Sequence, residues 1–92
     1  MPDAESVLRT RNFFGGGVVE MLVWKVPSPV PPSTHWLKYR LVFVRANQRL
    51  VGYDNERSKG DHKHTNGREL SYRFVDIDTL MRDFLRDVEK QA

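Results

Sequence analysis

Hydrophobic positions along this chain repeat with two periods, and the change of period divides it. From Val7 to Phe74 the apolar residues come in short β-branched or aromatic runs, separated by Gly, Pro, Asn and Asp. Val18 to Val26 (VVEMLVWKV) is one such run. Trp36 to Val44 (WLKYRLVFV) alternates: Leu37, Tyr39, Leu41 and Phe43 fall on one face of a strand, Lys38 and Arg40 on the other. Val7–Phe14, after a loose or briefly helical start, Arg49–Tyr53 and Leu70–Phe74 read as further strands. Beyond them the period lengthens. Ile77, Leu80, Met81, Phe84, Leu85 and Val88 make one stripe of a helix over about 76–90. Asp76 is its N-cap, and Val75 and Leu80 hold the hydrophobic-staple positions. Arg82, Asp83, Arg86, Asp87 and Glu89 are expected on its outer side.

The breaks between runs set the topology. Gly15-Gly16-Gly17 suits a tight reversal with positive φ. Pro27 to Pro32 (PSPVPP) lacks ladder donors at its prolines and reads as an exposed connector. Arg45 to Gln48 is a turn. Spacings this short favour antiparallel neighbours. The expected fold class is therefore α+β: an antiparallel sheet of about four to five strands with a C-terminal helix packed on one face, in a single domain over 1–92. Parity places Leu70, Tyr72, Phe74, Val19, Met21 and Val23 under the helix with the Leu37–Phe43 set. It assigns Glu20, Leu22, Trp24, Lys38, Arg40, Val51, Tyr53 and Arg73 to the open face.

One stretch fits neither period. Asp54 to Glu69 (DNERSKGDHKHTNGRE) has no aliphatic or aromatic residue, and it carries His62 and His64 one residue apart. A polar loop over 54–69 is expected, of the kind that is either functional or disordered. Composition narrows the chemistry. There is no cysteine, so thiolate metal sites, disulfides and cysteine nucleophiles are excluded. The net charge of +3 and pI near 9.5 suit a polyanionic partner without requiring one. No run is long enough to span a membrane, and Asp3 and Glu5 stand where a signal peptide would be basic; a cytoplasmic protein is expected.

On one strand, His62 and His64 share a face and can reach one atom. They suit proton transfer near neutral pH. They equally suit a metal site completed by Asp61 or Asp54, and a solvated loop would carry them without either role. The cations Lys38, Arg40, Arg57, Lys59, Lys63, Arg68 and Arg73 can bind phosphates, and Trp24 or Tyr53 can stack on a base. The plain alternative is a charged surface in which Glu20 pairs with Lys38 or Arg40. Tyr53-Asp54-Asn55 ends a strand in turn-forming residues, and Asp54 can orient a histidine. His35 reads as a loop residue.

The run from Tyr53 to Glu89 (YDNERSKGDHKHTNGRELSYRFVDIDTLMRDFLRDVE) resembles the TumE-type toxins of bacterial and archaeal toxin–antitoxin pairs. The VEMLVWKVP and KYRLVFV runs extend the likeness over most of the chain. Its most specific element is YDN, then a glycine and the His-x-His pair, a Tyr-x-Phe strand and the helix. Gly15-Gly16-Gly17 departs from the Asp-Gly type of turn that such proteins often show. The resemblance implies a small cytoplasmic toxin with ribonuclease activity, encoded beside a helix-turn-helix antitoxin. It assigns no catalytic residues, so roles follow from chemistry. A metal-independent endoribonuclease without cofactor is expected. His62 or His64 would take the ribose 2′-hydroxyl proton, the other histidine or Tyr53 would protonate the leaving oxygen, and Asp54 would fix a tautomer. Arg57, Lys59 or Arg40 would stabilise the phosphorane, within an RNA-binding set of Arg57, Lys38, Arg40, Lys63, Arg68, Arg73 and Trp24. The alternatives are metal-assisted hydrolysis through His62, His64 and Asp61, and a binding module for RNA or protein without turnover. Pairing through a sheet edge or the open face would give a homodimer.

Overall fold

The computed structural model describes residues 3–91; Met1, Pro2 and Ala92 of the expected 1–92 domain lie outside the described residues. Six strands precede one helix: β1 (Glu5–Phe14), β2 (Gly17–Lys25), β3 (Leu37–Arg45), β4 (Gln48–Glu56), β5 (Gly60–Thr65), β6 (Arg68–Ser71) and α1 (Ile77–Glu89). Each strand pairs antiparallel with the next, so spatial order equals chain order in one six-stranded sheet. Three reversals are two-residue loops with positive φ at both positions: Gly15-Gly16, Ala46-Asn47 and Asn66-Gly67. That backbone matches the right-handed twist of the flanking strands.

The class is as expected, but there are six strands where four to five were expected. The difference lies in the stretch read as a polar loop over 54–69. It supplies the end of β4, all of β5 and the start of β6. A strand needs only its ladder partners and side chains satisfied on both faces; here polar networks take the place of apolar packing. The strand expected over Leu70–Phe74 stops at Ser71. Tyr72 N–H reaches back to Asp61 O at 3.1 Å, and the chain then leaves the sheet for the helix. Leu70 stays 38% exposed at the sheet edge.

The core lies between α1 and one face of the sheet. Val19, Met21, Val23, Tyr39, Leu41, Phe43, Val51 and Tyr53 meet Leu80, Phe84 and Val88, all of them buried. Full burial of side chains such as Leu80 and Phe84 stabilises the fold by roughly 1.5–3 kcal/mol each. Val51 and Tyr53, expected on the open face, belong to this set. Tyr53 pairs with Leu41 and Val51 with Phe43 across the β3–β4 ladder, and directly opposed residues share a face.

Asp76 caps α1, accepting from Thr79 N–H at 2.7 Å, which holds its carboxyl below the usual range. Val75, expected as a staple, is 61% exposed. Asp83 and Asp87, expected on the outer side of α1, turn toward the sheet: Asp83 accepts from Tyr72 Oη, and Asp87 accepts from Tyr53 Oη and Lys63 Nζ. They sit four residues apart on the flank of the apolar stripe, where buried tyrosine hydroxyls need acceptors. No helix among the described residues is long and apolar enough to cross a membrane.

Candidate active site

The β4–β5 hairpin sorts the conspicuous polar residues by alternation. Its pairs are Gly52 with His64, Tyr53 with Lys63, Asp54 with His62, Asn55 with Asp61 and Glu56 with Gly60. Successive side chains point to opposite faces, so each pair sits on the face opposite to that of the next. Asp54, His62 and His64 share the open face. Tyr53, Lys63, Asn55 and Asp61 share the helix face.

The helix-face pairs build two structural networks. Tyr53, a candidate acid in the sequence reading, is buried under α1; its hydroxyl donates to Asp87 Oδ2, and Lys63 Nζ lies 3.2 Å from the same carboxylate. Burial and then the Asp87 hydrogen bond push the Tyr53 phenol far above the usual tyrosine range. Tyr53 and Lys63 therefore stand on the far side of the sheet from the imidazoles. Asp61 is likewise separated from them. It accepts from Ser33 Oγ, from His35 Nε2 at 2.7 Å and from Tyr39 Oη at 2.8 Å. The alternative metal set His62, His64 and Asp61 is corrected in its third member: Asp61 faces away, since one strand cannot turn consecutive side chains to the same face, and Glu69 instead brings a ligand atom within 4.8 Å of both imidazoles. Asn55 is fully buried, accepting from Tyr39 N–H at 2.9 Å and donating to Leu37 O at 2.8 Å. His35 is not an isolated loop residue: it stacks on Phe74 with centroids 4.0 Å apart and closes this network.

On the open face, the His62 and His64 rings lie 5.4 Å apart between centroids, inclined by 77°. His62 is only 4% exposed. Its Nδ1 is 3.0 Å from Gly60 O, which can only accept, so Nδ1 carries a proton. Nε2 faces carboxylates: Asp54 Oδ1 at 2.5 Å, Glu69 Oε1 at 3.7 Å and Glu56 Oε1 at 4.0 Å. Nε2 and Asp54 Oδ1 are close without being aligned, and neither has a hydrogen-bond partner among the described residues. Gly60, whose carbonyl receives Nδ1, sits at the β4–β5 turn against the β2–β3 connector. It has φ +74°, and a Cβ there would lie 3.0 Å from Pro32 Cγ.

Cationic groups border the cluster. Arg40 is the cross-strand partner of Asp54 and pairs with Glu20 Oε1 at 3.3 Å. Arg49 lies over Gly52, the partner of His64: a Cβ on Gly52 would stand 3.3 Å from Arg49 Nε. Arg11 and Arg40 line an open groove of about 370 Å³ with Glu20, Val42, Val44 and Asn47. Of the expected RNA-binding residues, Arg40, Lys38 and Trp24 share this face. Lys38 is engaged with Asn55 O. Arg57 and Lys59 sit at the β4–β5 turn, and Lys59 pairs with Glu69 at 3.5 Å. Lys63 is on the helix side, as is Arg68 through its pairing with Thr65 opposite Val51. Arg73 lies in the connector beyond β6. The sequence reading missed Arg9, Arg11 and Arg49 as open-face residues, and Glu56 and Glu69 as neighbours of His62. The Asn66-Gly67 pair, a hairpin signature, was the signal that would have brought Glu69 back beside His64.

The family model Toxin TumE matches residues 2–92. No curated protein and no solved structure matches the chain. The match takes in the β4–β5 hairpin, the open-face cluster and α1 together, so this chain belongs to the TumE toxin family and is a toxin of a toxin–antitoxin system, with an antitoxin as its partner.

Proposed function

We propose that this toxin is an endoribonuclease whose proton-transfer group is His64. The observation that carries this reading is the placement of the His62–His64 pair on the one sheet face that also presents Arg9, Arg11, Arg40 and Arg49. RNA brings its own nucleophile. His64, partly exposed, takes the proton of a ribose 2′-hydroxyl; the 2′-oxygen bonds to phosphorus, the bond to the 5′-oxygen breaks, and that oxygen takes a proton from water. The products are a 2′,3′-cyclic phosphate and a 5′-hydroxyl. Arg49 and Arg40 stabilise the charge gathering on the phosphorus oxygens.

Two parts of the sequence expectation change. Tyr53 leaves the site, and His62, buried against Asp54, holds the hairpin and the His64 ring rather than sharing the proton traffic. A helix-turn-helix antitoxin neutralises the toxin by covering this face, in competition with RNA.

The test is cleavage of RNA by purified His64→Ala, with RNA ends mapped. A fall of about 100-fold or more with an unchanged melting temperature is expected. Undiminished cleavage by this variant overturns the assignment.

A further inference from the structure

We infer that Asp54, Glu56 and His62 form a binding site for one divalent cation of the Mn²⁺ class. The inference names the cofactor of the proposed ribonuclease site and so deepens that reading. Asp54 and Glu56 are two residues apart on β4 and therefore share a face; His62 joins them from β5 as the cross-strand partner of Asp54. One ligand atom from each of the three lies within 4.8 Å of the others. A small ion fits among them once Asp54 Oδ1 backs away from its 2.5 Å contact with Nε2 to the roughly 3 Å between neighbouring ligands, and Glu56, half exposed, swings in from 4.0 Å.

The second observation is independent of the acidic residues. His62 is only 4% exposed, and its Nε2, buried and without a hydrogen-bond partner among the described residues, lies among the carboxylates of Asp54, Glu56 and Glu69. With Nδ1 donating to Gly60 O, a neutral His62 presents a lone pair at Nε2. Asp54 Oδ1 stands 2.5 Å from that nitrogen, off the line of its lone pair, so the two make no hydrogen bond. A cation set beside both atoms would offset the crowding of these two acceptors. Metal-bound imidazoles donate their other N–H to a carbonyl in the same way, which fixes ring and tautomer. Three carboxylates beside His62 would also repel an RNA phosphate unless a cation offsets them. Two carboxylates and one imidazole, in a chain without cysteine, favour Mn²⁺-like ions over soft ones. His64 stays free to carry the proton, and no bond-making step passes through the cation.

The test is titration of Mn²⁺ into the chelator-stripped full chain, without RNA, by calorimetry and by paramagnetic broadening of histidine ring signals. One ion per chain is expected, with His62 broadened strongly and His35, on the other face, much less. Glu56→Gln and Asp54→Asn should each weaken binding by about 10-fold or more, and Glu56→Gln, at an exposed side chain, keeps the fold if Asp54→Asn does not. His64→Ala should bind Mn²⁺ like the parent chain. No binding, or equal binding by Glu56→Gln, overturns the site. A parent chain that binds no Mn²⁺ yet cuts RNA sinks the cation and leaves the ribonuclease; a parent chain that binds Mn²⁺ yet cuts no RNA does the reverse.

Discussion

Asp54 and Asn55 are neighbours in the chain whose side chains leave β4 in opposite directions. Asp54 meets His62 Nε2 at 2.5 Å on the open face, and Asn55 receives Tyr39 N–H at 2.9 Å beneath the β2–β3 connector. Asn55 replaces the ladder where β3–β4 pairing ends at Arg40 and Asp54. The adjacent residues thus divide chemistry from architecture, and they should respond differently to substitution. Asn55→Ala strands the Tyr39 N–H and the Leu37 carbonyl in a buried setting. It should lower stability by about 1–3 kcal/mol for each group left unpaired. Urea unfolding measures this, and a midpoint equal to the parent's would contradict the account.

Tyr53 offers a direct test of the face assignment. It lies under α1, with its hydroxyl on Asp87, although sequence alone makes it a candidate acid. Tyr53→Phe should cost about 0.5–1.5 kcal/mol of stability, because the bond to Asp87 and the long contacts with Asp83 O and Lys63 Nζ, 3.3 and 3.4 Å, go while Lys63 still pairs with Asp87. Cleavage of RNA by the folded variant should stay within about twofold of the parent. A loss near that expected for His64→Ala would return Tyr53 to the reaction.

Alkaline pH should unfold this protein early in the tyrosine range. Tyr39, Tyr53 and Tyr72 are held as neutral phenols, first by burial and then by hydrogen bonds to Asp61, Asp87 and Asp83. Their folded pKa values lie above the ordinary 10, so the folded chain keeps protons that the unfolded chain releases. The stability they contribute is complete below pH 10 and is lost as the pH rises past it. Urea midpoints followed from about pH 8 upward should be level and then fall, with tyrosinate absorbance growing in step with unfolding. Tyrosinate formation in a fully folded chain would refute the burial argument.

The helix was legible because its apolar stripe, cap and acidic first turn all point the same way; Leu80, Phe84 and Val88 are buried as the periodicity requires. Strands β2 and β3 were legible from β-branched and alternating residues. β5 was not. Gly60–Thr65 carries no apolar residue except the Thr65 methyl, and the usual alternation is written instead in polar pairs. His62 and His64 face one way, Asp61 and Lys63 the other, and each side finds partners from elsewhere in the chain. Those partners, among them Ser33, Tyr39 and Asp87, are distant in sequence, so spacing alone could not assign them. The face of Val51 and Tyr53 depended on register with β3, which strand-by-strand parity does not contain.

Gly52 is the residue through which the sheet backbone admits an arginine to the site. It pairs with His64, and the Arg49 side chain lies over it. A Cβ at this position would stand 3.1 Å from Arg49 Cδ and 3.3 Å from Nε, closer than a side chain settles without moving. The crowding falls on the flexible end of an exposed arginine rather than on backbone, so the strand should survive. Gly52→Ala is therefore expected to keep the fold, displace the Arg49 guanidinium from its place over Gly52, the cross-strand partner of His64, and slow cleavage. Arg49→Ala should slow it by a similar factor, and the double variant should lose little more than either single one, because both act on the same cation. Losses that simply multiply in the double variant would show that Gly52 acts by another route. A pair of single variants that cut RNA at the parent rate would remove Arg49 from the site.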